Sequence, residues 1–247
     1  MPSKPCFPLL FFACWLFVMP VSGDAVTLKN DVVVPSSITW PPYVYVSDDQ
    51  QLSGPDIDLL RRVLTRIGYS LRHVHVPLKR MMANNDGLGI NANFSTTYSA
   101  ARAEKYYYSI PYRREQVAIF YVADKFDAVT SLAEFFNQAR LIALNTAGYF
   151  GETFQALSDS HRTKLVHSET ARRRLRQLAS GRVDIMVGDV PNIEYWIATE
   201  GLTGIKQSSF LVSEKDQSYV FLKTAFDEAF MAKFNQVLRE ELNASQH

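Results

Sequence analysis

The residues from Ser95 to Tyr112 carry the most chemistry in the sequence: Ser-Thr-Thr-Tyr-Ser-Ala-Ala-Arg, then Ser109-Ile110-Pro111-Tyr112. Hydroxyls at Ser95, Thr97 and Ser99 alternate ahead of Arg102. Such a loop leading into a helix presents hydroxyls and backbone N–H groups to an anion. An arginine completes it with a planar fork that suits a carboxylate. Taken alone, the same residues also describe a capped helix start with a solvated arginine. Other polar groupings point away from catalysis. His73 and His75 share one face of a strand and have no third metal ligand nearby. Gly148-x-x-Gly151 lacks the Lys-Ser/Thr of a phosphate loop. Arg172, Arg173, Arg174 and Arg176 read as a solvated basic helix face.

Strands and helices alternate around these residues. Asp31 to Val34 is β-prone, and Trp40-Pro41-Pro42-Tyr43 makes a turn. Pro55 fits the first position of a helix whose apolar face is Ile57, Leu60, Leu64 and Ile67. Asp56 and Asp58 suit its positive end and Gly68 its stop. Leu71 to Val76 reads as a strand, and Gln116 to Ala123 as a strand buried on both faces. Ser131 and Glu134 form a capping box, followed by a strand at Leu141 to Leu144. Ser168 is expected to cap a helix with Ala171, Leu175 and Leu178 inward and Gly181 as its stop. Val183 to Val187 and Tyr219 to Leu222 are strands, and Pro191 opens a helix between them. Phe226, Phe230, Phe234, Val237 and Leu238 line one face of a last helix. This alternation predicts an α/β fold with largely parallel sheets.

The chain has 247 residues, 47% hydrophobic, with 26 Lys plus Arg against 25 Asp plus Glu. That composition is globular, and the near-zero net charge argues against a nucleic-acid binder. The first residues read as a secretory signal peptide: Lys4, an apolar run from Phe7 to Val21, then small residues at Ser22, Gly23 and Ala25. The run is shorter than the ~20 residues of a spanning helix. We place the signal peptide at 1–25 and expect a periplasmic protein. Both cysteines, Cys6 and Cys14, fall inside it, so the mature chain is expected to hold no disulfide or Cys-ligated metal.

Several motifs, in order, resemble the type II periplasmic solute-binding proteins, in particular bacterial extracellular solute-binding protein family 3. Pro42-Tyr43 is similar to the family's Pro-Pro-aromatic element. Gly54-Pro55-Asp56-Ile57-Asp58-Leu59 is similar to its Gly-x-Asp-x-Asp-Leu helix start. Arg102 precedes Ser109-Ile110-Pro111-Tyr112 at the family's spacing. Ser131-Leu132-Ala133-Glu134 resembles the entry to a second lobe. Gly181-Arg182-Val183-Asp184, with Asp189 after it, resembles the Gly-x-x-Asp element and the acid that follows.

The resemblance implies two lobes, 26–113 with 214–247 and 114–213, each a mostly parallel sheet flanked by helices. Hinge strands near Arg113 to Val117 and Glu214 to Tyr219 would join them. It implies that Arg102, helped by Ser95 and Thr97, takes a ligand carboxylate, that Tyr43 flanks the ligand, and that Asp189 takes an amino group. N-capping by Asp189 ahead of Pro191 is an equal alternative. Asp56 and Asp58 read as first-turn helix acids rather than ligands. Tyr149 and Phe150 stand where relatives carry Ser or Thr, and either stack on a ligand or fill the core. Ile90 stands where the family has Asp.

The implied function is capture of a small solute, an amino acid, for the permease of an ABC transporter. The protein would be monomeric, with no cofactor, metal or nucleic-acid partner and no catalysis of its own. Two alternatives stay open: an enzyme on the same fold, of the cyclohexadienyl dehydratase type, with Glu152, Asp189 and Glu194 as the acids to nominate; or a stand-alone sensor or partner-binding relative.

Overall fold

The computed structural model describes residues 30–37, 39–77, 88–146 and 150–244. The signal-peptide segment and Gly148-Tyr149 lie outside them.

The first lobe begins with β1 (Asp31–Ser36) and β4 (Ser70–His75), which pair in parallel, Val32 opposite Leu71. Between them come a two-strand ribbon, β2 (Tyr45–Val46) with β3 (Leu52–Ser53), and helix α1 (Pro55–Arg66). α1 has the anatomy its sequence dictates. Pro55 occupies its first turn, Asp56 and Asp58 sit at the positive end and Arg66 at the negative end. Ile57, Leu60, Val63 and Leu64 are buried. Gly54 caps it at φ +107°, and a Cβ there would lie 2.5 Å from the Tyr43 carbonyl oxygen, so only glycine joins the Tyr43 turn to the helix.

β5 (Ala92–Thr96), α2 (Ala100–Lys105) and β6 (Tyr106–Tyr108) complete the front of this lobe, and α7 (Glu228–Ala244) closes its back against α1. Its core joins Val32, Val34, Leu60 and Leu64 to Tyr219, Phe221, Phe230 and Phe234, so the first and last parts of the chain share one apolar interior. Arg62 and Arg66 each hold Glu241 of α7 at 2.9 Å on the rim.

The second lobe is built on β7 (Arg113–Tyr121), whose Val117 to Tyr121 are buried in succession. β8 (Ile142–Asn145) lies parallel to both β9 (Leu165–Ser168) and β10 (Ile185–Asp189). β7 joins this parallel trio antiparallel to β10, and β11 (Lys206–Gln207) pairs with its other side. Helices α3 (Leu132–Gln138), α4 (Glu152–Ser160), α5 (Ala171–Ala179) and α6 (Val190–Glu200) cover the sheet. Two apolar clusters fill it, one around Phe126, Phe135 and Ile185, the other around Leu175, Met186 and Ile193.

β12 (Ser213–Leu222) runs antiparallel to β7, from Ser213 opposite Val117 to Gln217 opposite Arg113, and then enters the first lobe beside β5 and β6. The β7–β12 ribbon therefore passes between the apolar clusters, at the segments expected to be hinges.

Parallel pairing is confined to β1–β4 and the β9–β8–β10 trio, so the sheets are more mixed than the largely parallel ones expected, because β7 and β12 cross between the lobes antiparallel to their neighbours. Two details of α5 also differ from expectation. Ser168 ends β9 opposite Asn145. The cap of α5 is Thr170, whose hydroxyl accepts from the Arg173 N–H, because the cap is the last extended residue before the helix and β9 claims Ser168. The basic stretch of α5 also divides. Ala171, Arg174, Leu175 and Leu178 lie at i, i+3, i+4 and i+7 and are all buried, so Arg174 belongs to the inner face rather than to a solvated one.

Candidate functional site: a charged cleft between the lobes

A cleft of about 1120 Å³ opens between the lobes, and Ser95, Thr97, Arg102 and Asp189 all line it. On the first-lobe wall, Ser95, next to last in β5, has a left-handed backbone, φ +49°, a conformation uncommon for a residue with a Cβ. Its Oγ donates to Asp56 Oδ2 (2.9 Å) and accepts from Arg113 Nη2 (3.0 Å), and its N–H donates to the Tyr112 hydroxyl (3.0 Å).

Asp56, 3% exposed, is the hub of this wall. The same Oδ2 accepts from Tyr112 OH at 2.8 Å and from Arg113 Nε at 2.9 Å, and its backbone carbonyl accepts from Tyr219 OH. Asp56 is thus a first-turn helix acid and also the counter-ion of Arg113. Asp58 pairs with Arg61 in solvent. Tyr43 lays its ring on the Arg113 guanidinium, 3.9 Å from the centroid, the face-on geometry in which a cation meets ring π-density. Arg113 itself lines the cleft, and its Nη1 has no hydrogen-bond partner among the described residues.

Thr97 and Arg102 sit further out. Arg102 is exposed and donates from Nη1 to the Thr97 carbonyl at 3.0 Å, while the Ser99 hydroxyl caps α2 by accepting the Arg102 N–H. Gln217 on β12, itself buried, donates to Thr97 Oγ1 (2.9 Å) and to Glu115 Oε2 (3.3 Å). Glu115 faces the cleft from β7, and burial raises its carboxyl.

The second-lobe wall is formed where β10 gives way to α6. Asp189, 2% exposed, caps α6 by accepting the Asn192 N–H through Oδ2. Its Oδ1 makes no hydrogen bond to a described residue. Burial first, then the Glu115 charge, push this carboxyl up to about 7, with Arg113 pulling the other way. A Cβ on the preceding Gly188 would lie 2.8 Å from Ile193 Cγ1, so glycine lets the helix start directly on the strand. Asp189 thus caps the helix, one of the two roles the sequence left open, while its Oδ1 is buried without a partner among the described residues.

Arg174 lines the same cleft, 1% exposed, and donates from Nη1 to the Ser168 carbonyl at 2.9 Å. Phe150 also lines it while packing edge-on against Phe154, with ring centroids 4.9 Å apart, so it serves core and cleft together. Tyr149 lies outside the described residues. Ile90 lines the first-lobe side.

The lobes touch along one side. Asn192 Nδ2 donates to the Pro41 carbonyl, and the rings of Tyr45 and Tyr195 meet edge-to-face at 6.2 Å. Tyr43 stands close enough to Asp189 for that charge, after burial, to raise its phenol.

Sequence reasoning missed Glu115, Arg113, Gln217 and Arg174. The first three lie on the strands that cross between the lobes, where alternation of inward and outward residues marks a strand but not its neighbours. The i, i+3, i+4, i+7 spacing with Ala171, Leu175 and Leu178 was available for Arg174.

Chemically, the first-lobe wall and the crossing strands offer guanidinium, hydroxyl and carboxyl groups, and the second-lobe wall offers the Asp189 carboxyl and the Arg174 guanidinium. Among the described residues no group of three His, Cys, Asp or Glu is placed to hold a metal, and no helix is long and apolar enough to cross a membrane.

The comparisons agree with this architecture. A histidine kinase sensor domain with similarity to periplasmic binding proteins aligns at TM-score 0.72 and 20% identity, covering 88% of this chain and 93% of that one. A mutant of arginine-bound ArgBP from T. maritima aligns at TM-score 0.67 and 20% identity, over 86% and 96% of the two chains. An ancestral arginine-binding protein bound to glutamine aligns at TM-score 0.68 and 18% identity, over 85% and 91%. At these identities the likeness is one of fold, the two-lobed periplasmic binding fold. The curated proteins give no match. The family of bacterial extracellular solute-binding proteins, family 3, matches residues 32–245. With that match running from β1 to the end of α7, the chain belongs to the bacterial extracellular solute-binding proteins, family 3.

Proposed function

We propose that the protein captures a small carboxylate-bearing solute, an amino acid, in the cleft between its lobes. The observation that carries this reading is the convergence of Ser95, Thr97 and Arg102 from one lobe and Asp189 from the other on a single cleft. Arg102, held among the described residues by the Thr97 carbonyl, turns its remaining N–H groups to a carboxylate. Asp189 offers Oδ1 to an ammonium group. Opposite charges on opposing walls select a zwitterion, and closure of the β7–β12 hinge removes water from both pairs. The N-terminal segment 1–25 acts as a signal peptide, so capture takes place in the periplasm, and the loaded monomer is handed to an ABC permease.

A thermal-shift screen of the purified chain against amino acids, polyamines, organic acids and cyclic carboxylates tests this. A ligand at 100 times its dissociation constant adds about 2.7 kcal/mol of stability. The expected hit carries a carboxylate and is lost in Arg102→Ala. A hit indifferent to that substitution removes the carboxylate assignment, and turnover of a cyclic acid replaces the binding role with an enzymatic one. A sensor module is the second reading, favoured by the fold shared with the histidine kinase sensor domain. It predicts the same ligand dependence without a permease.

A further inference from the structure

Arg174 is among the largest side chains fully enclosed in the protein. Its hydrogen bonding is incomplete: Nη1 reaches the Ser168 carbonyl, while Nε is buried without a partner. No acidic side chain among the described residues pairs with it, and burial alone pulls its guanidinium down to about 10, which leaves it charged at neutral pH. Its neighbours on α5 are treated differently. Arg172 and Arg176, on the outer face, both hold Glu200, with Arg176 Nε at 2.8 Å. Among the described residues an acid thus serves the arginines that water already solvates, and none serves the buried one.

A buried cation without a counter-ion is strongly unfavourable unless something completes it. Arg174 borders the cleft that Arg102, Asp189, Asn145 and Phe150 also line. A planar guanidinium with free N–H groups matches a carboxylate or a phosphate better than any neutral group.

We infer that Arg174 receives a second anionic group of the bound solute, so that the ligand is an amino acid with an acidic side chain or a similar small molecule bearing two acid groups. This rests on the proposal that the cleft binds a carboxylate solute, and it fixes the class. The carboxylate at Arg102 and the ammonium at Asp189 are common to all amino acids, and Arg174 sets which side chain follows. A cationic side chain such as that of arginine would face like charge there.

Isothermal titration of the purified chain with L-glutamate, L-glutamine, L-arginine, succinate and O-phospho-L-serine tests the inference. L-glutamate and L-glutamine differ only in the second acid, so the expected result is at least tenfold tighter binding of an acidic ligand than of L-glutamine, with L-arginine weakest. Arg174→Met is expected to erase that preference while leaving binding of L-glutamine in place. It should not lower the melting temperature of the unliganded chain, since it replaces an unpaired charge by an apolar stem. Should that variant fail to fold, Arg174→Lys serves instead, and its loss of the planar fork is expected to weaken the acidic ligand about tenfold. Tighter binding of O-phospho-L-serine than of L-glutamate assigns the second group to a phosphate. Preference for L-glutamine or L-arginine, or discrimination unchanged in both variants, overturns the inference while the solute-binding reading stands. No binding by any of these or by the wider screen overturns both.

Discussion

Arg113 and Arg174 both border the cleft from largely buried positions, yet their surroundings are opposite. Arg113 has Asp56 as counter-ion, Ser95 as a further acceptor and the Tyr43 ring on its face, and keeps one N–H spare. Arg174 has one backbone carbonyl. The carboxylates divide in the same way: Asp56 is satisfied through one oxygen by three donors, whereas Asp189 leaves an oxygen open. The first-lobe wall completes its own charge pairing and acts as a fixed platform. The second-lobe wall keeps charges that no described residue completes. Buried ion pairs are weak evidence of stability, but removing one partner is severe. The two walls should therefore respond to mutation with opposite signs.

The largest effect is expected from Asp56→Asn, which leaves Arg113 buried without its anion. Urea unfolding at pH 7 should show a loss of about 3–5 kcal/mol. A loss below about 1 kcal/mol would mean that the platform is not held by this pair.

Asp189→Asn should act the other way, and with pH. Burial first, then the Glu115 charge, push the folded carboxyl up to about 7 from an ordinary 3.8. Between those values the native state holds the proton more tightly than the unfolded chain, so wild-type stability falls as pH rises, and the deficit is complete above pH 7. The deficit amounts to up to about 4 kcal/mol. Asparagine preserves the helix cap. The variant should match wild type near pH 4 and exceed it at pH 8 by thermal unfolding, while losing ligands that carry an ammonium group. Equal melting temperatures at both pH values would deny Asp189 its titration.

A smaller loss, roughly 1–3 kcal/mol, is expected for Gly54→Ala, which forces an L side chain into a left-handed backbone against the Tyr43 carbonyl. Chemical denaturation should register it, and an unaffected variant would show that the Tyr43 turn yields. Arg102→Ala should come last, changing stability by no more than about 0.5 kcal/mol because the side chain is exposed. It nevertheless abolishes carboxylate binding in titration, and this separation of binding from stability is its diagnostic.

Features set by neighbours along the chain are legible in the residues themselves. Pro55 and Gly68 bracket α1, the unbroken apolar run after Gln116 marks β7, and Asp189 before Pro191 marks a cap. The shift of the α5 cap from Ser168 to Thr170 reflects competition between a strand end and a helix start, which local preference cannot settle. The antiparallel return of β12 through the hinge could be placed only by likeness to known proteins, because hydrophobic alternation does not say which strand lies alongside. The Arg113–Asp56 pair spans 57 residues and has no local trace. Arg174 does have one, in its helical spacing, but a run of neighbouring arginines conceals it behind the reading of a solvated face. Of the expected ligand contacts, Ser95, Thr97, Arg102 and Asp189 share the cleft, while Tyr43 reaches it through Arg113.

The shared interior of β1, α1 and α7 bears on the order in which the chain is made. The buried core of the second lobe is drawn from one uninterrupted stretch, Val117 to Ile193, and is available as soon as that stretch has been synthesised. The first lobe starts earlier, but its interior lacks Tyr219, Phe221, Phe230 and Phe234 until the final helix emerges. Contacts of such long sequence separation form late. The lobe that begins first is therefore the last to close, and a nascent chain carries one wall of its cleft unfinished until α7 has emerged.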